Sequence, residues 1–258
     1  MSEAKSPQTH TYTEWLARHD RAAVIACIAL AASLALFVMW RAGDAAMMIE
    51  MMGGSIVADA LLLFVMWWAM MLAMMLPSAA PAILIYGALA RKNRNTGVAP
   101  VAVFASGYAA IWTGFSIAAV LLQLLLRPVV ELNMTMAVTS QLVGAGLLVA
   151  AGLYQMTPLK QACLRNCQSP LMHFARRWRN GLRGSFLMGL EHGAYCLGCC
   201  WVLMALLFYG GVMDLRWILG IALYIAAEKL VPAGARLPWL AGFILLAGGA
   251  YQLYAAVS

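Results

Sequence analysis

Apolar residues along this chain come in long, nearly unbroken runs, separated by short polar segments in which most of the basic residues sit. The runs cover residues 22–40, 56–90, 98–126, 136–156, 184–209, 215–231 and 237–256. A helix of about 20 apolar residues crosses the roughly 30 Å of bilayer hydrocarbon. The pattern therefore predicts an all-α, polytopic integral membrane helical bundle of about seven transmembrane helices. Residues 1–21 read as a polar N-terminal segment and 22–258 as a single helical membrane domain. No small-residue cleavage site follows the first apolar run, so that run reads as a retained helix, not a signal peptide. Pro77 and Pro81 are expected to kink or break the second run.

Charge placement orients the bundle. Of the 17 Lys and Arg residues, 14 fall in the N-terminal segment and in 91–94, 160–183 and 229–236. The alternate connections hold only Arg41, Arg127 and Arg216. The positive-inside rule then puts the N-terminus in the cytoplasm and the C-terminus outside, the orientation of a protein of the bacterial inner (plasma) membrane.

The connector 157–183 is itself helical by pattern. Thr157-Pro158 is a cap followed by a first-turn proline. Leu171, Phe174, Ala175, Trp178 and Leu182 recur at helical spacing among arginines, as in a cytoplasmic amphipathic helix lying at the interface. Val143–Gln155 also resembles Leu240–Gln252, both ending in Tyr-Gln. The charge count runs these two helices in opposite directions, as a three-plus-three inverted repeat would.

Composition strengthens this reading. The chain is 64% hydrophobic and 10% charged, against about half and about a quarter in soluble domains. The net charge of +7 does not point to nucleic acid, because the cations cap apolar runs where lipid headgroups lie. The lipid bilayer is the partner it implies.

Five of the six cysteines form two clusters, Cys163/Cys167 and Cys196/Cys199/Cys200; Cys27 stands alone in the first run. Neighbouring thiols such as Cys199 and Cys200 bridge only with strain, so reduced thiols are expected. On a helix at about 100° per residue, Met188, His192, Cys196, Cys199 and Cys200 share a stripe of about 120°. Counting from Gly184, His192 lies about 12 Å and Cys196 about 18 Å from the cytoplasmic edge, at hydrocarbon depth. An imidazole is costly there unless partnered.

A second soft stripe, Met66, Met70 and Met74 with Met71 and Met75 beside it, precedes Pro77, and Met66 and Met70 reach similar depths from the other side. Thiolate and thioether donors favour Cu(I) and discriminate against hard cations. Cys163 and Cys167, at i and i+4, share a helix face as a two-ligand fragment. Glu191, Glu228 and Lys229 are the charged groups near the membrane interior, and Glu191 with Lys229 is a conceivable pair. No phosphate-binding loop, dinucleotide fingerprint, zinc-protease motif or nucleophile elbow is present, and nothing beyond the thiols suggests an enzyme.

The run Gly189–Met204, with its Cys-Leu-Gly-Cys-Cys-Trp centre, resembles the signature of the DUF2182 family of metal-binding integral membrane proteins. Met70–Pro77 with Pro81, Tyr154–Lys160 with Cys163 and Cys167, and Glu228-Lys229 are similar to it as well, so the likeness spans most of residues 60 to 255. A basic residue often stands in that family where this chain has Glu191. The resemblance implies metal binding without an assigned activity, and Cys199-Cys200 also resembles the membrane thiols of mercuric ion transporters.

Residues and resemblance together suggest a soft metal, Cu(I) first and zinc or mercury as alternatives, at His192, Cys196, Cys199 and Cys200, with Met66 or Met70 as further ligands. Cys163 and Cys167 would acquire or release it on the cytoplasmic side. The expected role is transport, or delivery to a membrane or periplasmic partner protein. The rivals are a membrane thiol-disulfide oxidoreductase and a structural subunit in which a metal staples two helices.

Overall fold

The structure is a computed structural model that describes residues 33, 37, 56–92, 98–126, 138–230 and 236–257. The first apolar run, with Cys27, lies outside the described residues except at positions 33 and 37. The described chain is all-helical. In order it forms α1 (Ile56–Lys92), α2 (Val98–Leu126), α3 (Gln141–Gln155), α4 (Pro158–Gln168) and α5 (Pro170–Arg176). There follow α6 (Gly181–Ala205), α7 (Leu207–Gly210), α8 (Leu215–Leu230) and α9 (Arg236–Val257).

Four helices are long and apolar enough to cross a membrane: α1, α2, α6 continued into α7, and α9. The other two described runs differ from the sequence reading. α3 has 15 residues and meets α4 at a bend of 64°, so these two make one broken span or a re-entrant element. α8 has 16 residues, about 24 Å of helix.

The expected break at Pro77 and Pro81 does not occur, and α1 runs through both prolines. A helical proline removes one N–H and orphans the carbonyl four residues before it, here those of Ala73 and Pro77. Hydroxyl donors gather in the same turn. Ser78 Oγ donates to the Met75 carbonyl at 2.9 Å, and Tyr108 OH donates to it at 3.2 Å.

Small residues set the central packing. A Cβ at Gly189 would overlap the Phe104 carbonyl, and one at Gly193 would lie 3.0 Å from the Ile111 side chain. α6 therefore lies backbone to backbone along α2 by a small-xxx-small face. α9 packs along α3 in the same manner, Gly152 against Gly242 and Leu246, Gly249 against Val149 and Ala145. This pairing is antiparallel, the relation expected of the two similar segments. Each also ends in a glutamine that donates to a tyrosine hydroxyl, Gln155 to Tyr224 at 3.0 Å and Gln252 to Tyr209 at 2.6 Å.

α4 starts where its cap predicts, with Thr157 Oγ1 accepting from Lys160 N at 3.3 Å and Pro158 in the first turn. It does not stand apart from the bundle. Lys160 and Leu164 are buried, and α4 packs against the middle of α6, where a Cβ at Gly198 would lie 2.8 Å from Cys163 Sγ.

Candidate metal centre

Contacts between α1 and α6 fix the level of each soft side chain. Tyr86 OH lies 2.7 Å from Ser185 Oγ, and the Trp67 and Phe208 rings are 5.3 Å apart. Between them, Tyr108 OH joins the Met75 carbonyl at 3.2 Å to Cys196 Sγ at 3.1 Å. The two helices run oppositely, so Met75 is level with Cys196, and Met70 lies a little beyond Cys200, level with Trp201 to Met204. Met66 lies about one turn beyond Met70. The sulfur beside the Cys196 chamber is therefore that of Met75, which the sequence reading placed only at the flank of its stripe.

Cys196, Cys199, Cys200 and His192 are all buried. Cys199 and Cys200 thiols both donate to the Cys196 carbonyl, at 3.1 and 3.0 Å, as i+3 and i+4 side chains on one turn can. His192 sits among the rings of Phe104, Tyr108 and Phe174 at centroid distances of 5.7 to 6.2 Å. Lys229 at the end of α8 reaches into the same chamber and donates to Cys196 Sγ and Ser78 Oγ, each at 3.0 Å, with Met75 Sδ at 4.0 Å.

The two cysteine clusters of the sequence are one cluster in space. Cys167 and Cys199 lie close enough to interact, and Cys163 is held against Gly198. All five described cysteines are free. Among the described residues, no three His, Cys, Asp or Glu side chains form a ready metal-ligating group. The α6 thiols are hydrogen-bonded to the Cys196 carbonyl, Tyr108 and Lys229, not arranged as a preformed cage.

A cavity of about 150 Å³ opens onto the cluster. Ser78, Cys167, Gln168, His192, Cys196 and Lys229 supply its polar lining. Pro81, Ile85, Pro170 and Leu230 frame it toward the end of the bundle where the arginine-rich segment lies.

Beside this chamber lies a second polar cluster, whose lysine the sequence reading counted as loop charge. Lys160, fully buried, pairs with Glu228 at 2.7 Å. Gln155 accepts from the same ammonium, Tyr224 donates to the carboxylate, and Gln168 Nε2 donates to the Glu228 backbone carbonyl at 2.7 Å. Lys229 is thus not the partner of Glu191. Arg179 donates to Glu191, and His173 Nε2 lies 3.8 Å from it, so Glu191 ties the connector to α6 near the bundle end. Burial lowers the His173 pKa, against the pull of that carboxylate.

Comparison with known families adds what the geometry cannot. Residues 64–252 match the PpoB2 family, described as copper chaperone. The chain belongs to that family. Its motifs resemble DUF2182, but the family the match identifies is PpoB2, whose description points to a copper-related function. No curated protein and no solved structure matches the chain. The matched region contains the cavity, all five described cysteines, His192, Met70 and Met75, and both buried lysines.

Proposed function

We propose that this copper chaperone family member is an integral membrane protein that takes up Cu(I) from the cytoplasmic side, holds it at Cys196, Cys199 and Cys200, and passes it to a partner protein. His192, Met70 and Met75 are the further donors within reach of that depth, and Met66 lies a turn beyond. Cys167 and Cys163 are the receiving thiols. The observation that carries this reading is the Cys167–Cys199 contact, made where α4 meets α6 and beside a cavity that leads to Cys196. Soft metals move between thiolates by ligand exchange, which requires donor and acceptor sulfurs to approach in this way.

In the full reading the bundle has seven spans with its N-terminus in the cytoplasm. Residues 22–40 form the first, α3 and α4 together form one broken span, and α8 is a short one. Broken helices at buried sites are common where ions are handled, because the break frees polar groups at depth. The paired Gly-rich helices α3 and α9, each carrying a Tyr-Gln, support the internal repeat.

Metal analysis of protein purified under reducing conditions tests the reading. Wild type is expected to retain about one copper per chain, and Cys199→Ser/Cys200→Ser to lose it. Copper flux in sealed vesicles separates transport from delivery: transport gives accumulation without a partner, delivery gives none. The same Cys167–Cys199 contact favours a second reading, a thiol-disulfide oxidoreductase. Metal-free wild type that traps a Cys167–Cys199 disulfide on oxidation would establish that reading and remove the first.

A further inference from the structure

We propose that the bundle holds a second site for a monovalent soft ion, built from the thioethers of Met71, Met75 and Met204 and lying on the side of the thiols away from the cavity. The inference rests on the metal-binding reading above and adds to it a station made without thiols.

Two contacts bracket the site. At one end Tyr108 OH joins the Met75 carbonyl to Cys196 Sγ, at 3.2 and 3.1 Å. At the other the Trp67 and Phe208 rings meet at 5.3 Å. α1 and α6 run oppositely between these levels, so Met71 comes level with the stretch from Cys200 to Met204, and the step from Met75 to Met71 is about 6 Å. Faces agree with heights. Met71 precedes Met75 by four residues and Met204 follows Cys200 by four, so each is turned only about 40° from the sulfur residue one turn nearer the cavity. The Met75 sulfur itself lies in the thiol chamber, 4.0 Å from Lys229 Nζ. Met71, Met75 and Met204 are fully buried in the same core as the three α6 cysteines.

What surrounds this level decides the kind of ion. The cavity is lined by Ser78 to Ile85 on α1 and by His192 and Cys196 on α6, so it stops short of Met71 and Met204. On α2, the buried side-chain oxygens beyond Tyr108 are already engaged: Ser116 Oγ donates to the Trp112 carbonyl at 2.8 Å, and Gln123 Oε1 accepts from Trp67 Nε1 at 2.9 Å. An ion at this level therefore meets sulfur and hydrocarbon. A thioether offers a soft lone pair and no charge, so a group of them suits Cu(I) and gives a hard cation none of the oxygen donors it needs. Its hold is weaker than that of the thiol site, because no opposite charge draws the ion in. Purified protein then keeps one ion, and the second site fills on titration.

The test follows Ag(I), a redox-inert monovalent probe, by NMR of isotope-labelled methionine methyls in detergent-purified full-length protein. The first equivalent is expected to fill the thiols. The second is expected to move the methyl signals of Met71 and Met204, assigned from Met71→Leu and Met204→Leu, and to leave that of the exposed Met172 in place. Met71→Leu/Met204→Leu, which conserves core volume, is expected to keep the first equivalent and lose the second. Wild-type Met71 and Met204 signals that stay fixed once the thiols are full overturn the proposal without any variant. So does a double variant that takes up both ions as wild type does, or a second uptake that moves Met172 as far as Met71. The thiol-site reading fails by a different result, Cys199→Ser/Cys200→Ser protein that keeps the first equivalent, and the Met71 and Met204 signals still decide the second site in that case.

Discussion

Glu228 and Lys229 are neighbours on α8 that face two different buried worlds. Glu228 enters a closed polar cluster in which Lys160, Gln155 and Tyr224 supply an opposite charge and hydrogen bonds. Lys229 enters an open chamber lined by a hydroxyl, a thioether and a thiol, with no carboxylate and a cavity at its side. The first arrangement is complete in the protein alone. The second sets an ammonium against groups that carry no fixed opposite charge. One residue of offset on a helix turns the side chain by about 100°, enough to separate a structural pair from a reactive site.

Breaking the closed cluster should cost the most stability. Lys160→Met or Glu228→Gln leaves its partner buried without its opposite charge and should destabilise the fold by about 3–5 kcal/mol, read as loss of monodisperse protein and a lower Tm in detergent. The double change Lys160→Met/Glu228→Leu should recover much of that loss, since a buried pair replaced by apolar groups is often tolerated. Equal damage in single and double variants would mean the cluster does more than neutralise itself.

Cys167→Ser should leave stability nearly unchanged and weaken or slow metal loading by about tenfold, the scale of losing an outer partner of a metal site. A larger loss than for Cys199→Ser would reverse the assigned order of receiving and holding thiols. Gly198→Ala lies between the two regions: the added methyl would meet Cys163 Sγ and should cost about 1–3 kcal/mol by overpacking, with loading impaired as Cys163 is displaced. The smallest effect is expected at the surface. Glu191→Gln removes the contacts with Arg179 and His173, both partly exposed, and should change stability by no more than about 1 kcal/mol without altering metal affinity.

The helical bundle was legible because hydropathy is a property of local sequence. Runs such as 98–126 and 237–256 became helices within a residue or two, and Thr157-Pro158 restarted a helix as its capping chemistry requires. The soft stripe on α6 was legible for the same reason, since residues 192 to 200 lie on one element. What sequence could not supply was the other side of each contact. Lys160 looked like a loop cation because its partner Glu228 is 68 residues away. Cys163 and Cys167 looked like a separate site because only the bend after α3 brings them to Cys199. The pairing of Lys229 with Glu191 failed because α8 delivers Lys229 to Cys196 while Arg179 reaches Glu191 first. Tyr108 and Met75 gave no signal, being an aromatic and a methionine among many in an apolar chain.

Copper K-edge X-ray absorption on the Cu(I)-loaded, full-length protein tests the central claim most directly, because it reads the donor atoms themselves. The account predicts a shell dominated by sulfur that is lost in Cys199→Ser/Cys200→Ser. A shell of nitrogen and oxygen alone, unaltered by those substitutions, would contradict it.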